Sequence, residues 1–356
     1  MIKLPLDKID DIFTAIAESK KLYLPVDKDD GDAEYTEWTA GKKWSNAVNT
    51  VRSAKDFFFA KTESLYDIKM HDKKIDIVDT RSELDDFVLF GVRACDAASF
   101  AIIDRVYLRQ DPVDTYYKNR REHGIIITTA CTKTMPTCFC KLFDIDAANP
   151  GGDISSWKDE TSIWFEPLTD KGRALLDSLK TAFEKAGAEA DASTEPVDDL
   201  KNKITAVMSK QPFADEKMEK FKGENLLELF NSKKWGELSE SCLGCGTCTY
   251  VCPTCMCYNI RDFKVGDETK RYRTWDSCMY SDFTKMAAAN PRTTQLERFR
   301  QRFMHKLVYY PAKYENVYAC VGCGRCLQKC PVSMNIVKVM RSLNEDTTAP
   351  KGGAEK

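Results

Sequence analysis

Hydrophobic residues in the first 185 positions form two kinds of pattern, helical spacing and continuous runs. Apolar positions from Ile9 to Ile16 have helical spacing, directly after Asp7, which is a suitable N-cap. Phe87–Val92 and Gly124–Thr129 contain continuous apolar runs, as expected of strands that are covered on both faces of a sheet. Shorter strands are predicted at 22–26, 57–59 and 163–165. The pattern therefore predicts an α/β domain over residues 1–185.

The pattern changes after this domain. Residues 186–200 are small and acidic and have no period, which predicts a linker. Helical patterns follow at 200–209, 216–230 and 292–309, so a mainly α-helical domain is predicted over 201–343. Residues 344–356 are polar and predict a flexible tail. The expected fold class is α+β, with an α/β domain followed by a helical one.

The predicted helical domain contains one cysteine motif twice. The run C-x₂-C-x₂-C-x₃-C-P spans 242–253 and again 320–331. Two copies form the ligand pattern of two [4Fe–4S] clusters, in which the fourth cysteine of each run binds the other cluster. The first predicted ligand set is Cys242, Cys245, Cys248 and Cys330. The second predicted ligand set is Cys320, Cys323, Cys326 and Cys252.

Glycines stand between these ligands, at Gly244, Gly246, Gly322 and Gly324. A backbone packed against inorganic sulfide has little room for a Cβ atom, so we expect unusual dihedral angles at these cofactor-binding positions. The alternative is a pair of zinc sites or a disulfide framework. Zinc sites use two C-x₂₋₄-C pairs and not four cysteines in one run ending in proline, so the motif favours iron–sulfur clusters.

Four further cysteines lie in the predicted α/β domain. Cys95 and Cys131 each follow a predicted strand, and Cys138 and Cys140 come shortly after the second of them. Ligands of α/β sheets gather at the carboxyl ends of strands, so these four thiols form a candidate site for a third [4Fe–4S] cluster. Their scattered spacing is equally compatible with buried free cysteines, which pack as small hydrophobic residues.

The last three cysteines are Cys255, Cys257 and Cys278. Cys255 and Cys257 follow the first motif so closely that packing around a cluster is the simpler interpretation. Together with Asp276, the three thiols could also bind a metal. The chain has no adjacent Cys-Cys-Gly signature, which a catalytic subunit of the heterodisulfide-reductase type would be expected to have.

Composition narrows the class of protein. The chain has 356 residues, a formal net charge of −2 and 30% charged residues, and its basic residues are balanced by acidic ones, so no nucleic-acid partner is indicated. No apolar stretch approaches the ~20 residues of a membrane span. Fifteen cysteines in a chain of this length, without the apolar core of a signal peptide, predict a cytoplasmic protein of low-potential, anaerobic metabolism.

Five basic residues lie in or beside the last predicted helix: Arg292, Arg298, Arg300, Arg302 and Lys306. The ordinary interpretation is a solvated helix face. The alternative is that these charges neutralise the clusters or dock an acidic partner. No residues suggest acid–base or nucleophilic catalysis, and no G-x-G-x-x-G is present for nicotinamide binding.

Several short motifs together resemble one known family. They are Gly91–Asp96, 116–122, Thr137–Cys140, Cys252–Cys255, Trp275–Cys278, Asn290–Arg292 and Cys320–Cys326. This set is similar to the β subunit of soluble NAD(P)-linked [NiFe] hydrogenases, or sulfhydrogenases, and to an iron–sulfur subunit of anaerobic sulfite reductase. The resemblance runs from about Lys55 to Val339. The predicted helical domain also resembles the α-helical ferredoxin type of heterodisulfide reductase and succinate dehydrogenase iron–sulfur subunits.

The resemblance implies a non-catalytic electron-transfer subunit within a hetero-oligomer. It implies a partner flavoprotein subunit that binds FAD and NAD(P)H, and a catalytic oxidoreductase subunit of the hydrogenase or sulfite-reductase kind. It also implies that Cys95, Cys131, Cys138 and Cys140 hold a third [4Fe–4S] cluster. A catalytic subunit of the heterodisulfide-reductase kind remains the alternative.

Overall fold

The computed structural model describes residues 1–346 except 72–73 and 82–83. The chain forms two units, and each is discontinuous in sequence. The first unit comprises Met1–Phe59 and Arg81–Ala214, and the second comprises Ala60–Thr80 and Asp215–Lys356. The mixture of helices and strands confirms the α+β class.

The first unit is built on one sheet. Its strands are β1 (Ile2–Pro5), β2 (Lys21–Asp27), β3 (Ala33–Glu37), β6 (Phe87–Val92), β7 (Gly124–Thr129), β8 (Ile154–Lys158), β9 (Ser162–Pro167) and β10 (Glu189–Ala190). Its helices are α1 (Ile9–Ala17), α2 (Lys55–Phe58), α3 (Ala94–Tyr107), α4 (Thr115–His123), α5 (Asp170–Ser178), α6 (Lys180–Lys185) and α7 (Glu195–Met208). The strand order is β10-β1-β9-β8-β7-β6-β2-β3.

The centre of this sheet is parallel. β2, β6, β7 and β8 run in one direction, while β1, β3, β9 and β10 are antiparallel to their neighbours. Every residue of β6 and β7 is buried, as their apolar sequences predict. The carboxyl ends of β6, β7 and β8 therefore lie at one edge of the sheet.

Two apolar clusters cover this sheet. In the first, Phe13 of α1 packs edge-to-face on Phe90 of β6, with ring centroids 4.8 Å apart. In the second, Val197 and Ile204 of α7 pack with Trp157 of β8. Burying each of these side chains contributes roughly 1.5–3 kcal/mol, so α7 is an integral part of the first unit.

The second unit contains strands as well as helices. Its strands are β4 (Thr62–His71), β5 (Lys74–Asp79), β11 (Tyr258–Val265) and β12 (Glu268–Trp275), and they form an antiparallel sheet in the order β11-β12-β4-β5. Its helices are α8 (Leu226–Phe230), α9 (Lys234–Glu240), α10 (Thr247–Tyr250), α11 (Gln295–Met304), α12 (Tyr310–Lys313), α13 (Arg325–Gln328) and α14 (Ile336–Glu345). A π-helical turn at His305–Tyr309 joins α11 to α12. The second unit is thus not purely helical, in contrast to the expected α-helical ferredoxin-type domain.

The unit boundaries also differ from the predicted domains 1–185 and 201–343. Residues 60–80 belong to the second unit because β4 pairs with β12, about two hundred positions later in the chain. The predicted linker, 186–200, contains β10 and the start of α7. The alanines of this segment gave no helix or strand period in the sequence, but β10 pairs with β1 at the edge of the sheet.

Three smaller expectations differ from the structure. The predicted strand at 57–59 overlaps helix α2, and the segment 216–222 is not helical. Of the predicted tail 344–356, residues 344–345 end α14, and Asp346 accepts a hydrogen bond from Ser232. Residues 347–356 lie outside the described part of the chain.

Candidate iron–sulfur sites

The two cysteine motifs have the same local geometry. Gly246 precedes α10 with φ 75° and ψ −10°, and Gly324 precedes α13 with φ 77° and ψ −10°. Gly244 and Gly322 also have positive φ, at 66° and 56°. Only glycine adopts such angles without strain, which accounts for its recurrence between the cysteines. At Gly246 a Cβ atom would also lie 2.8 Å from the ring of Tyr280.

The two short helices that follow these glycines contact one another. This contact brings the two motifs together, although they are separated by more than sixty residues. A fourth cysteine from one run can therefore reach the ligands of the other run, as the predicted exchange requires.

The first predicted ligand set surrounds one pocket. Cys242, Cys245, Cys248 and Cys330 all line it, together with apolar side chains that include Met279, Phe299, Phe303 and Met334. Backbone amides point at two of these sulfur atoms. Gly244 N donates to Cys242 Sγ at 3.4 Å, and Met334 N donates to Cys330 Sγ at 3.3 Å. Four thiols in an apolar pocket with inward N–H groups are a donor set that suits a [4Fe–4S] cluster.

Cys245 is the one exposed cysteine among the fifteen. Cys245 Sγ lies 3.4 Å from Thr247 Oγ1, and hydrogen bonds that its thiolate accepts from the hydroxyl and the backbone N–H of Thr247 lower the pKa of the Cys245 thiol. Tyr280 donates to the Cys245 carbonyl at 3.3 Å. Leu243, two residues earlier, is 65% exposed. The first ligand set therefore reaches the surface through Cys245.

The second predicted ligand set is less accessible. Cys252 and Cys323 are buried, and Cys320 and Cys326 are partly buried. Burial raises the pKa of the Cys320 thiol to about 12, and the neighbouring Cys326 and Cys252 thiols contribute to this rise. Neutral thiols would persist in such a site at pH 7, whereas metal ligation requires thiolates. The nearby ammonium of Lys306 opposes this rise in the pKa of Cys320.

Two buried cations provide positive charge next to these thiols. Arg302 on α11 is 3% exposed and Lys306 in the π-helical turn is 4% exposed. Burial alone would lower the pKa of Arg302, but the Cys248 and Cys326 thiols raise it above its usual value. Within the described residues, Arg302 Nε has no hydrogen-bond partner. An isolated buried charge is costly, so anionic groups in the pocket would complete this arrangement.

Lys306 makes three short contacts. Its Nζ atom donates to Cys252 Sγ at 3.3 Å, to Thr254 Oγ1 at 2.7 Å and to the Ala319 carbonyl at 3.1 Å. Burial alone would lower the pKa of Lys306, but the Cys252, Cys255 and Cys320 thiols raise it. Lys306 thus lies beside ligands of the second set and stays protonated there.

The basic group around α11 is therefore not one solvated face. Arg302 and Lys306 are buried beside cysteines. Arg298 Nε donates to the Met279 carbonyl at 3.2 Å, and the Arg300 guanidinium lies 3.6 Å from the ring centre of Phe230. Arg and Lys on a helix are usually expected at the surface, so the sequence alone did not distinguish Arg302 and Lys306 from the other basic residues.

Cys255, Cys257 and Cys278 extend the same group of thiols. A hydrogen bond with Cys255 lowers the pKa of the Cys252 thiol against the effect of burial, and raises that of Cys255. A second hydrogen bond joins Cys257 to Cys278, lowering the pKa of the first thiol and raising that of the second. Cys255 thus lies beside Cys252 of the second predicted ligand set, and Cys278 lies near Cys248 of the first.

Three of the four cysteines of the first unit lie close together. Burial raises the pKa of the Cys140 thiol to about 11, and the neighbouring Cys131 and Cys138 thiols contribute to this rise. Cys95 and Cys131 pack against the apolar cluster that contains Cys140. The grouping lies where β6 and β7 end, as strand order predicts.

Gln211 is a neighbour of this group that sequence reasoning missed. It is buried, its Nε2 donates to Cys140 Sγ at 3.3 Å, and its Oε1 accepts from Lys141 N at 3.1 Å. It lies 71 residues after Cys140, just beyond α7, between the predicted helices 200–209 and 216–230. No local pattern identifies such a partner.

In the part of the chain that the structure describes, no three His, Cys, Asp or Glu side chains are placed to hold a single metal ion. A single zinc ion needs its thiolates about 2.3 Å away, whereas in a cubane each thiolate binds a different iron, so the thiolates lie farther apart. The absence of such a group among the described residues therefore applies to sites for one metal ion and not to [4Fe–4S] clusters.

These paired motifs define an iron–sulfur protein with a two-cluster domain. Residues 241–334 match the family described as 4Fe-4S dicluster domain. The chain is also 32% identical over 351 residues, covering 97% of this chain and 98% of the relative, to sulfhydrogenase 2 subunit beta of Pyrococcus furiosus. The chain belongs to this family of sulfhydrogenase β subunits, and it is an iron–sulfur electron-transfer subunit of a hydrogenase-type oxidoreductase.

No solved structure matches this chain. Among the described helices, none is both long and apolar enough to cross a membrane.

Proposed function

We propose that this chain relays single electrons between a flavoprotein subunit that binds FAD and NAD(P)H and a catalytic subunit of the hydrogenase or sulfite-reductase kind. The observation that carries the proposal is the pocket lined by Cys242, Cys245, Cys248 and Cys330, because it joins three thiols of one motif to the fourth of the other. The family supports an oxidoreductase assembly, since the relative is named as a subunit.

In this proposal three groups of cysteines hold cofactors. The first and second ligand sets hold one [4Fe–4S] cluster each, and Cys95, Cys131, Cys138 and Cys140 hold a third. When bound, the clusters supply one-electron transfer. Support for the third is the proximity of Cys131, Cys138 and Cys140.

The protein's own residues control charge and solvent. Arg302 and Lys306 compensate the negative charge of thiolates inside an apolar surrounding, and the amides of Gly244 and Met334 hydrogen-bond to ligand sulfurs. Phe299 and Phe303 exclude water from the first pocket. Each of these features tunes the balance between oxidised and reduced states.

The exposure of Cys245 supports a route for electrons at the surface. The second ligand set has no exposed cysteine, so exchange with a partner subunit takes place at the face formed by Leu243, Cys245 and Tyr280. Leu243 and Tyr280 are both exposed, and an apolar rim of this kind is suited to contact with another subunit.

A catalytic role of the heterodisulfide-reductase kind is the second candidate. The observation in its favour is the contact between Cys257 and Cys278 beside Cys252 and Cys255. The missing Cys-Cys-Gly signature argues against it. A catalytic subunit would show an EPR signal that changes when a disulfide substrate is added. An electron-transfer subunit shows only the signals of simple reducible clusters.

Purifying the native assembly without oxygen tests the proposal. We expect mass spectrometry to identify a flavoprotein and a catalytic oxidoreductase subunit beside this chain. NAD(P)H should then reduce the clusters in the assembly, seen by EPR, but not in the isolated chain. Direct oxidation of NAD(P)H by the isolated chain, or purification of the chain without partners, would contradict the proposal.

A further inference from the structure

The first unit has a pocket that adjoins the candidate third-cluster site, since Cys131 is one of its lining residues. It has a volume of about 500 Å³ and lies where three neighbouring parallel strands end. Arg93 follows β6, Cys131 and Lys133 follow β7, and Lys158 is the last residue of β8. The carboxyl edge of a parallel sheet is where α/β folds bind their ligands, and this volume suits a small molecule.

Three cations line this pocket: Arg93, Lys133 and Lys158. Among the described residues, none of them forms an ion pair with a carboxylate. Arg93 donates to the carbonyls of Ala47 and Ala130, at 2.8 and 3.3 Å, and both acceptors are neutral.

Lys158 is fixed in position. Its Nζ atom donates to Asn46 Oδ1 at 2.6 Å and lies 3.9 Å from the ring centre of Trp44. An ammonium has three N–H donors, so two remain for a ligand. Burial lowers the pKa of Lys158 to about 8, with Arg93 and Lys133 contributing by repulsion.

The two acidic residues on the pocket wall do not neutralise these cations. Asp159 Oδ1 accepts hydrogen bonds from the backbone amides of Thr161 and Ser162, at 2.7 and 2.8 Å, so its carboxylate is used in a turn. Glu160 is exposed to solvent. The apolar wall of the pocket includes Leu6, Val48 and Leu200.

Arg93 also lies near Cys131, where its charge opposes the rise in the thiol pKa that burial causes. One cation could thus serve the candidate third cluster. Lys133 and Lys158 are the other two cations of the pocket lining.

We propose that this pocket binds a small phosphate-bearing molecule, with the phosphate held by Lys133, Lys158 and Arg93 and an apolar portion against Leu6, Val48 and Leu200. Three cations match the double negative charge of a phosphate monoester better than that of a single carboxylate. The site is independent of the two ligand sets in the second unit.

Calorimetry on the full chain, purified without oxygen, tests this site with inorganic phosphate and with adenosine monophosphate. Both probes should bind, the nucleotide more tightly because it also uses the apolar wall. Lys158→Gln and Lys133→Gln should each weaken nucleotide binding by about tenfold, since each removes a charge-assisted contact.

Lys171→Gln is the matched control. Lys171 is also a half-buried lysine of the first unit, but it donates to the carbonyls of Arg121 and Gly124, where β7 begins, at the opposite edge of the sheet. This variant should bind both probes as the wild type does. Absence of binding by the wild type at millimolar probe, or unchanged binding in the Lys133→Gln/Lys158→Gln double variant, would overturn the proposal. Iron content and EPR spectra, measured in parallel, report separately on the clusters.

Discussion

The ammonium of Lys306 lies 3.3 Å from the sulfur of Cys252 within the second unit, and both side chains are buried. A positive charge at this distance favours the more negative, reduced state of a cluster held by Cys252. Lys306→Met should therefore lower the midpoint potential of one cluster by tens of millivolts.

Redox titration followed by EPR measures this shift. Lys313→Met is the control, because Lys313 is exposed on α12, seven positions later. An equal shift of the midpoint potential in both variants would show that Lys306 does not tune the cluster. The absence of a shift in Lys306→Met, with iron content preserved, would show the same.

Exchange of the fourth ligand between motifs gives a second prediction. Cys330→Ala should remove about four iron atoms per chain, because it opens the set that also contains Cys242, Cys245 and Cys248. Cys278→Ala should keep the full iron content, since Cys278 pairs with Cys257 outside both sets. Iron analysis of the two variants tests this assignment of the first ligand set. A loss of iron in Cys278→Ala but not in Cys330→Ala would contradict the assignment.

Access through Cys245 gives a third prediction. Leu243→Ser should slow partner-dependent reduction of the clusters by about tenfold, because an apolar contact beside Cys245 is lost. Leu227→Ser is a matched control, since Leu227 is 64% exposed and Leu243 is 65% exposed. Stopped-flow absorbance of the assembly measures the rate, and dithionite should reduce all three proteins equally. Equal partner-dependent rates for the two variants would place the docking face elsewhere.

Lys158 gives a pH dependence with a defined sign. Burial, with Arg93 and Lys133, lowers its pKa from 10.5 to about 8. The folded chain therefore binds fewer protons than the unfolded chain between these values, and its stability increases as the pH rises through this window.

Thermal unfolding of anaerobic protein at pH 7 to 10 measures this effect. The Tm of the wild type should rise relative to Lys158→Gln above pH 8, because the glutamine variant has no charge to lose. The Tm of the wild type should also rise relative to that of Lys158→Arg over the same pH range, because the arginine stays charged. Parallel pH profiles for all three proteins would show that Lys158 does not titrate near pH 8.

The strands of the first unit were the most predictable part of the fold. Phe87–Val92 and Gly124–Thr129 are strands with those bounds, because each has a continuous apolar run. The run at 57–59 consists of aromatic residues without a period, and its first two residues lie in α2, where Phe58 packs edge-to-face on Phe100. Short apolar runs do not distinguish a strand from a turn of helix.

The sheet of the second unit was not predictable from local pattern. β4 and β5 carry Ile68, Ile75 and Ile77 among charged residues, and β12, which pairs with β4, begins at Glu268. Pairing across such a separation leaves no local signal. The ligand motifs were readable because their chemistry requires fixed spacing, whereas Arg302 and Lys306 serve the same site through tertiary packing.

Iron and acid-labile sulfide analysis, with Mössbauer spectroscopy of the same anaerobic sample, tests the central claim most directly. The two motifs predict about eight iron and eight sulfide per chain as [4Fe–4S] clusters, and about twelve of each if the first unit holds a third. Protein that folds with zinc at the motifs, or with neither iron nor sulfide, would contradict the assignment of this chain as an electron relay.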